Sequence, residues 1–452
     1  MDMHDTICAI ATPPGKGAIA IVRVSGSQAP ALGTRLFRSQ GSTHAPKPRV
    51  ATYGTIVDEA GTAIDRGLAI LCPGPHSYTG EDTLELHVHG SPVLAREVVR
   101  ALLACGARYA SAGEFTRRAF LNGKLELHAA AAVADLIDAE TRSAARAALA
   151  NLGSALTQQV RALRADLSDV LEELAGAIDF PDEVPDPDPA RLWTRLEGTA
   201  AELRRLQRNA EVGRLVREGV PVAIVGPPNA GKSSLLNALL GEERAIVSDV
   251  PGTTRDTIEE SISVAGVQVR LIDTAGIRTH ADRLESAGIE RTQRALQSAR
   301  VALVVLDGSL PLGGEAHALL AQTRDRTRVV FANKADAGDA GERQLNGVAH
   351  VKGSVHDRAA LQRLREEIAR VGWGGEAPDL ERPHLASLVE IGAVAQALEA
   401  LERAMQTLSA GDPSDLIAAD LQHAYAQLGH VTGDVAGEEL LTAIFARFCI
   451  GK

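Results

Sequence analysis

One stretch constrains the fold more than any other. The apolar run Val222-Ala223-Ile224-Val225 feeds into Gly226-Pro227-Pro228-Asn229-Ala230-Gly231-Lys232-Ser233 and then into the helical pattern Ser234-Leu235-Leu236-Asn237-Ala238-Leu239-Leu240. Strand, G-x-x-x-x-G-K-S loop and helix come in the order a phosphate-binding loop needs. The glycines let successive backbone N–H groups curl around an anion at a helix N-terminus, where Lys232 reaches the outer phosphates and the Ser233 hydroxyl ligates Mg2+. Asn229, Ala230, Gly231, Lys232, Ser233 and Ser234 are therefore candidate nucleotide contacts. A purely structural glycine-rich turn has the same letters, and the motifs downstream decide against it.

Those motifs also select the base. Asp249-Val250-Pro251-Gly252-Thr253-Thr254-Arg255-Asp256 follows the loop. Two strand-like runs, 258–264 and 267–272, then end in Asp273-Thr274-Ala275-Gly276. Asp273 is placed to hold Mg2+ through water, and the Gly276 N–H to sense the gamma-phosphate. A further apolar strand delivers Asn333-Lys334-Ala335-Asp336. In this N-K-x-D pattern the Asp336 carboxylate accepts from the N1–H and exocyclic amine of guanine, a donor pair that adenine lacks, so the wrong base leaves a carboxylate unpaired. The expected nucleotide is GTP or GDP.

The 452 residues allow about three domains, and 45% hydrophobic with 23% charged residues is an ordinary globular composition. A net charge of -11 excludes a surface that clings to nucleic acid all over, and 3% aromatics leave few stacking platforms for bases. The best basic patch is Arg108, Arg117, Arg118 and Lys124, and a solvated helix face is the commoner reading of such a cluster. Cys8, Cys72, Cys105 and Cys449 lack metal-ligand spacing and read as reduced thiols; no signal peptide or spanning apolar run is seen, so the expected compartment is cytoplasmic.

Residues 1–119 alternate strand-like runs at 6–11, 18–24, 52–57, 67–71 and 84–88 with a helix at 92–104, an α+β domain. Ala-rich sequence from Leu127 to Ile178 reads as long helix, ended by the proline-rich Asp179–Pro189 segment, after which helix resumes to about Val216. Strands and helices alternate over about 217–375 as a doubly wound sheet requires, and residues 376–452 return to helix. The last part holds 12 Asp/Glu against 4 Lys/Arg, a solvated bundle face. The expectation is a multidomain chain: an α+β domain at 1–119, an α-helical domain in two parts at 120–216 and 376–452, and an α/β P-loop GTPase domain inserted at 217–375.

Ile277 stands where small GTPases carry a water-positioning Gln, and an aliphatic side chain cannot orient water. Glu285 is a candidate activator of the attacking water, although by spacing alone it reads as a surface helix carboxylate. Charge for the transition state could come from Arg255 or Arg278, or from a monovalent cation caged by the Asn229 side chain and carbonyls of the Ser248–Thr253 loop. A loop cap is the commoner use of an Asn at that position.

At this point the chain resembles the tRNA modification GTPases of the MnmE (TrmE) family across essentially its whole length. The stretches that carry the resemblance are Asp5-Thr6-Ile7, Ala11-Thr12-Pro13-Pro14-Gly15, Val22-Arg23-Val24-Ser25-Gly26, Ser77-Tyr78-Thr79-Gly80-Glu81-Asp82, Gly113 to Lys124, Ile178-Asp179-Phe180-Pro181, the GTPase motifs and the terminal Phe448-Cys449-Ile450-Gly451-Lys452. The resemblance implies a cytoplasmic, K+-dependent, GTP-hydrolysing homodimer. With an FAD-bearing flavoprotein of the MnmG/GidA family, in a heterotetramer, it would add a carboxymethylaminomethyl or aminomethyl group to C5 of the wobble uridine of certain tRNAs. It implies a formyl-tetrahydrofolate-type folate at Arg23, Glu81, Lys124 and Lys452, where the residues alone read as ordinary salt bridges. It also puts K+ at Asn229, Ser248, Val250 and Thr253, Mg2+ at Ser233 and Thr254, and water activation at Glu285, with Lys232 on the phosphates. Ser354-Val355-His356 falls at the last guanine-contacting loop, in place of the family's Ser-Ala-Arg/Lys-like sequence. Glu381-Arg382-Pro383-His384 replaces an Asn-x-Arg-His pattern.

Two rival readings are kept: a GTP-dependent assembly or ribosome-associated factor, and a folate enzyme whose GTPase is regulatory. The first calls for a basic module beside the GTPase segment, where this chain carries acidic helices. The second calls for folate binding without need of the flavoprotein. Cys449 reads either as a buried inert thiol or, if Lys452 reaches the folate, as a thiol near the one-carbon chemistry.

Overall fold

The computed structural model describes residues 5–39, 46–241, 260–264, 267–272, 293–345, 348–374, 384–385, 387–435, 438–446 and 448–451. Ser248 to Asp256, Asp273 to Gly276, Ile277, Arg278, Glu285, Glu381 to Pro383 and Lys452 lie outside them. The chain divides into two compact units. One comprises Met1–Ala134, Asn151–Arg204 and Ser387–Lys452, and the other Asp135–Ala150 and Arg205–Ala386.

In the first unit, β1 (Ile7–Ile10), β2 (Ile19–Ser25), β3 (Phe37–Ser39), β4 (Thr52–Val57), β5 (Ala63–Cys72), β6 (Thr83–His89) and β7 (Arg108–Tyr109) form one sheet in the order β3-β4-β5-β6-β2-β1-β7. Neighbours are antiparallel except β1 with β7. Strand alternation sends Val22, Val24, Leu84, Leu86 and Val88 into a core with Leu32 and Leu36 of α1 (Ala29–Leu36) and Val98 and Leu102 of α2 (Pro92–Ala104). The same alternation turns Arg23, Ser25, Glu85 and His87 to the opposite face, with Arg23 directly across from Glu85. The runs read from sequence recover five strands and α2. β3 and β7, three and two residues long, are too short for a period of two to register.

The long helix expected from Leu127 to Ile178 is three helices, α4 (Leu127–Ile137), α5 (Arg142–Asn151) and α6 (Ala155–Asp179). The breaks have local causes. Thr141 Oγ1 accepts from the Ala144 N–H at 3.1 Å, capping α5, and Gly153-Ser154 interrupts before α6. α7 spans Pro189–Glu218, beginning where a proline at the first turn costs nothing. α11 (Leu388–Ala410) starts with a capping box between Ser387 and Glu390 and ends at Gly411 in the left-handed conformation. It packs on α12 (Ser414–Thr432), which also packs on α6, and α13 (Glu438–Phe445) follows. Glu390 is also tied across 262 residues, its Oε1 lying 2.8 Å from His128 Nδ1 in the buried interior.

The second unit holds a six-stranded sheet. Its strands are β8 (Val220–Val225), β9 (Glu260–Val264), β10 (Val267–Ile272), β11 (Val301–Asp307), β12 (Arg328–Asn333) and β13 (His350–Lys352), in the order β13-β12-β11-β8-β10-β9. All pairs are parallel except the β9–β10 hairpin. One face buries Ile224, Leu303, Val305 and Phe331 against Leu235 and Leu239 of α8 (Lys232–Gly241) and Leu361 and Leu364 of α10 (Arg358–Gly372). The other buries Val225, Val304 and Leu306 against Leu319 of α9 (Gly314–Gln322). Covered on both faces, the strands read as continuous apolar runs, as parallel sheets do. Ala144, Ala147, Val216 and Trp373 form a satellite cluster of this unit.

Candidate functional site

The phosphate loop sits between the C-terminal end of β8 and the first turn of α8, in the middle of the parallel sheet, where open α/β sheets bind their ligands. Two of its glycines are sterically obligatory. A Cβ at Gly226 would strike the Val305 carbonyl oxygen, and at Gly231, with φ 95°, it would strike Asn333 Nδ2. Asn229 itself is held at φ 61°, a left-handed position that Asn tolerates.

Lys232 Nζ donates to the carbonyls of Gly226 and Pro227 at 2.7 and 2.8 Å. Burial lowers its pKa, opposed by the distant Glu315 charge. Within this loop the ammonium is met by neutral acceptors, which an anionic phosphate oxygen outcompetes. Ser233, next in the helix, offers a hydroxyl oxygen of the kind a hard divalent cation prefers, so the loop fits Mg2+ as far as the described residues reach.

The base-reading strand is joined to this loop by one side chain. Asn333, 1% exposed, donates from Nδ2 to the Ala230 carbonyl at 2.9 Å and accepts at Oδ1 from the Val355 N–H at 3.2 Å. Lys334, at φ 63°, donates to the Asn229 carbonyl at 2.8 Å and to Asp307 Oδ2 at 2.7 Å. Asp336 is exposed, and the Ser354 hydroxyl, its own backbone N–H and His356 hold its carboxyl below the usual range. The structure thus brings Asn229 to Ser234, Asn333, Lys334, Asp336 and Ser354 to His356 together. Asn333 and Lys334 act as braces between the two loops. Sequence reasoning missed Asp307, the partner of Lys334; its place at the end of β11, two residues before Ser309, was the available signal.

In the first unit the expected basic patch does not exist as a surface. Arg118, 2% exposed, donates to Asp5 Oδ1 at 2.5 Å, Glu114 Oε1 at 3.0 Å and Glu81 Oε1 at 3.1 Å. Arg108 donates to Asp5 Oδ2 at 2.5 Å and Glu114 Oε1 at 2.6 Å. Neither the patch nor the solvated helix face describes these two residues, because the buried Arg118 needs carboxylate partners and is given three, two of which the part-exposed Arg108 shares. Burial alone would raise the Asp5 and Glu114 carboxyls; hydrogen bonds from Arg108, Arg118 and, for Glu114, the Ser111 N–H overcome it and hold both below the usual range. Glu114 and Arg118 are four residues apart on α3 (Glu114–Leu121), the one sequence signal of this cluster.

Of the expected folate residues, Arg23 pairs with Glu85 at 2.9 Å and lies 5.5 Å from the Tyr78 ring centroid and 5.9 Å from that of Phe115. Glu81 Oε2 accepts from Ser25 Oγ at 2.7 Å. Lys124 is exposed, its stem near Gly80, and Asn122 Nδ2 donates to the Thr79 carbonyl at 2.8 Å. The C-terminal tail is docked on this same region. Ile450 bridges Ala112, Gly451 at φ 104° has no room for a side chain against the Ile10 carbonyl, and Phe445 and Phe448 pack with Leu127 and Ala130. Cys449 is exposed, so the buried-thiol reading is corrected: its neighbours Phe448 and Gly451 take the interior. Cys8 is the buried thiol, pushed up to about 12 by burial. Among the described residues no His/Cys/Asp/Glu group is arranged for a metal, and no helix is long and apolar enough to cross a membrane.

The model of the MnmE helical domain matches residues 127–449, and that of the GTP-binding protein TrmE N-terminus matches residues 6–124. The tRNA modification GTPase MnmE of Chloroflexus aurantiacus is 43% identical over 455 residues, covering 100% of both chains. Those of Natranaerobius thermophilus and Symbiobacterium thermophilum are 39% and 42% identical, each covering 99% of this chain and 100% of the relative. Among solved structures, the G domain of the T. maritima FeoB iron transporter covers 34% of this chain and 98% of its own at 25% identity, with a TM-score of 0.26 that is too low to weigh. With identity of this order along its entire length and both family models matched in sequence order, the chain belongs to the MnmE (TrmE) family.

Proposed function

We propose that this chain is a GTP-hydrolysing tRNA modification enzyme. The observation that carries the reading is the Asn333 brace, which ties the phosphate loop at Ala230 to the base loop at Val355. A nucleotide laid along that brace has its phosphates over the N-terminus of α8 and its base beside Asp336. Lys232 leaves its carbonyls for the outer phosphates, and Ser233, Thr254 and Asp273 would hold the Mg2+ that would neutralise their charge. Glu285 activates the attacking water, while Asn229 with Ser248, Val250 and Thr253 cages a K+ that supplies the charge an arginine finger would.

The finer reading adds the modification chemistry. The chain acts as a homodimer with an FAD-bearing flavoprotein, binds a formyl-tetrahydrofolate-type folate at Arg23, Glu81, Lys124 and Lys452, and contributes to aminomethylation of C5 of the wobble uridine. The tail docking supports this, because Ile450 and Gly451 bring the C-terminus to the strand that precedes Arg23. Cys449, exposed on that tail, serves the modification step. The test is hydrolysis of GTP against ATP by the purified chain in K+ and in Na+ at equal ionic strength. GTP-selective, K+-stimulated turnover is expected. Equal use of the two nucleotides overturns the base assignment, and equal turnover in the two salts overturns the cation assignment.

A further inference from the structure

One end of the helical bundle in the first unit is apolar and acidic together. α6 finishes at Asp179, and the turn that follows leaves Phe180 57% exposed, with Ile178 at 41% and Val184 at 37% beside it. The turn is ordered. The Phe180 carbonyl accepts from the Glu183 and Val184 N–H groups at 3.0 and 2.8 Å, and Val184 folds back towards Gly176 of α6. Pro181, Pro185, Pro187 and Pro189 restrict the rest of the backbone, and Asp188 Oδ1 accepts from the Ala190 N–H at 3.0 Å where α7 begins. The turn between α11 and α12 lies alongside, because the Ser414 hydroxyl donates to Asp186 Oδ1 at 3.4 Å, and it brings Leu416, 52% exposed.

Asp179, Asp182, Glu183, Asp186 and Asp188 rim this surface from the first turn and Asp412 and Asp415 from the second, each exposed. No Lys or Arg occurs from residue 165 to 190 or from 404 to 446 to offset them. Single exposed apolar residues are ordinary, but an aromatic and two aliphatic side chains grouped inside a charged rim have the anatomy of a protein interface. The sign of the rim restricts the occupant. It repels an RNA backbone, and it repels the same face of a second copy.

We propose that this bundle end docks a partner protein through a basic surface around an apolar groove, with Phe180, Val184 and Leu416 entering the groove. The inference rests on the flavoprotein reading above and says where on this chain that protein binds. A net charge of -11 and the burial of Arg118 among carboxylates leave this chain little with which to grip a tRNA, so the phosphates fall to the partner, and a protein that neutralises them carries basic surface. A proline-stiffened turn also loses little freedom on docking.

The experiment measures binding of the full-length chain to the purified flavoprotein by surface plasmon resonance at low and at high salt. Wild-type association is expected to slow as salt rises. Phe180→Ser is expected to weaken binding about thirty-fold or more through faster dissociation, as loss of an interface anchor does. Asp182→Lys with Glu183→Lys is expected to slow association about ten-fold at low salt and to leave dissociation nearly unchanged. Leu388→Ser, at a residue 73% exposed at the opposite end of α11, should bind as the wild type does. The thermal midpoint and sedimentation mass of each variant alone should match the wild type, and the charge reversal carries the test should Phe180→Ser fail to fold. Wild-type affinity in Phe180→Ser overturns the inference, as does undiminished association in the charge reversal or an equal loss in Leu388→Ser. A lower sedimentation mass of Phe180→Ser overturns it too, assigning the face to a second copy. A wild type that binds no flavoprotein overturns the flavoprotein reading itself, and the inference with it.

Discussion

The two units handle buried positive charge in opposite ways. In the phosphate loop, Lys232 is desolvated and rests on two backbone carbonyls, whereas Arg118 in the N-terminal sheet is surrounded by three carboxylates. The pKa shifts follow: burial drives Lys232 down, while for Arg118 burial is outweighed by its hydrogen bonds to the Asp5 and Glu114 carboxylates, which drive it up. A cation held by neutral dipoles is prepared for an incoming anion. One chain thus holds one buried cation on neutral dipoles and another among carboxylates.

That contrast is broken or sharpened most strongly by removing the groups concerned. Glu285→Ala is expected to slow hydrolysis roughly 100- to 10,000-fold with GTP affinity retained, the range for loss of a general base. Normal turnover there returns Glu285 to a surface carboxylate. Lys232→Met is expected to lower turnover by about 100- to 1,000-fold, as loss of one transition-state donor does, with the thermal stability of the chain nearly unchanged because no carboxylate is orphaned. Arg118→Met is its mirror image. It leaves turnover of GTP untested but destabilises the N-terminal unit by about 3–5 kcal/mol in denaturant titration, since a buried pair broken on one side leaves uncompensated charge. Equal stability of the two Met variants removes the distinction drawn here. Asp336→Asn, which replaces an acceptor by a donor, is expected to weaken GTP binding about ten-fold or more and to gain for xanthine nucleotides, measured by equilibrium titration.

The smallest effect is the pH dependence, and its sign differs between the units. Asp5 and Glu114 have lowered folded pKa values, so their stabilisation is present above the ordinary carboxylate range and is lost as pH falls through the folded values. Lys232 is also lowered, but for a lysine the unfolded chain then holds the proton more tightly, so stability rises as pH climbs from the folded value to the ordinary lysine value. Unfolding followed by a probe in each unit should show the N-terminal sheet weakening in acid and the nucleotide unit strengthening in alkali.

The nucleotide unit was legible because its information is local. Glycine spacing, an apolar run and N-K-x-D each lie within a few consecutive residues, and the structure sets them at the ends of β8 and β12 where they were expected. The ion cluster was not legible in this way, because Asp5 and Arg118 are 113 residues apart and Glu81 is 37 from Arg118. Nothing in a run of letters distinguishes Arg118 from the exposed Lys124 six residues later. The same limit explains the false long helix: Ala-rich composition favours helix at every position, and a single side-chain cap at Thr141 and the Gly153-Ser154 break decide where one ends and the next begins. The bracing by Asn333 was not legible for the same reason, its partners Ala230 and Val355 being brought to it only by the fold.

The proposal that the nucleotide site and the N-terminal ion cluster serve one modification reaction is tested most directly by the modified-nucleoside profile of tRNA. Cells lacking this chain are complemented with the wild type, with Lys232→Met or with Glu81→Gln, and wobble-uridine C5 modification is quantified by mass spectrometry. The account predicts that modification is lost on deletion, is restored by the wild type and is restored by neither variant. Full modification in the deletion strain, or full restoration by either variant, would contradict it.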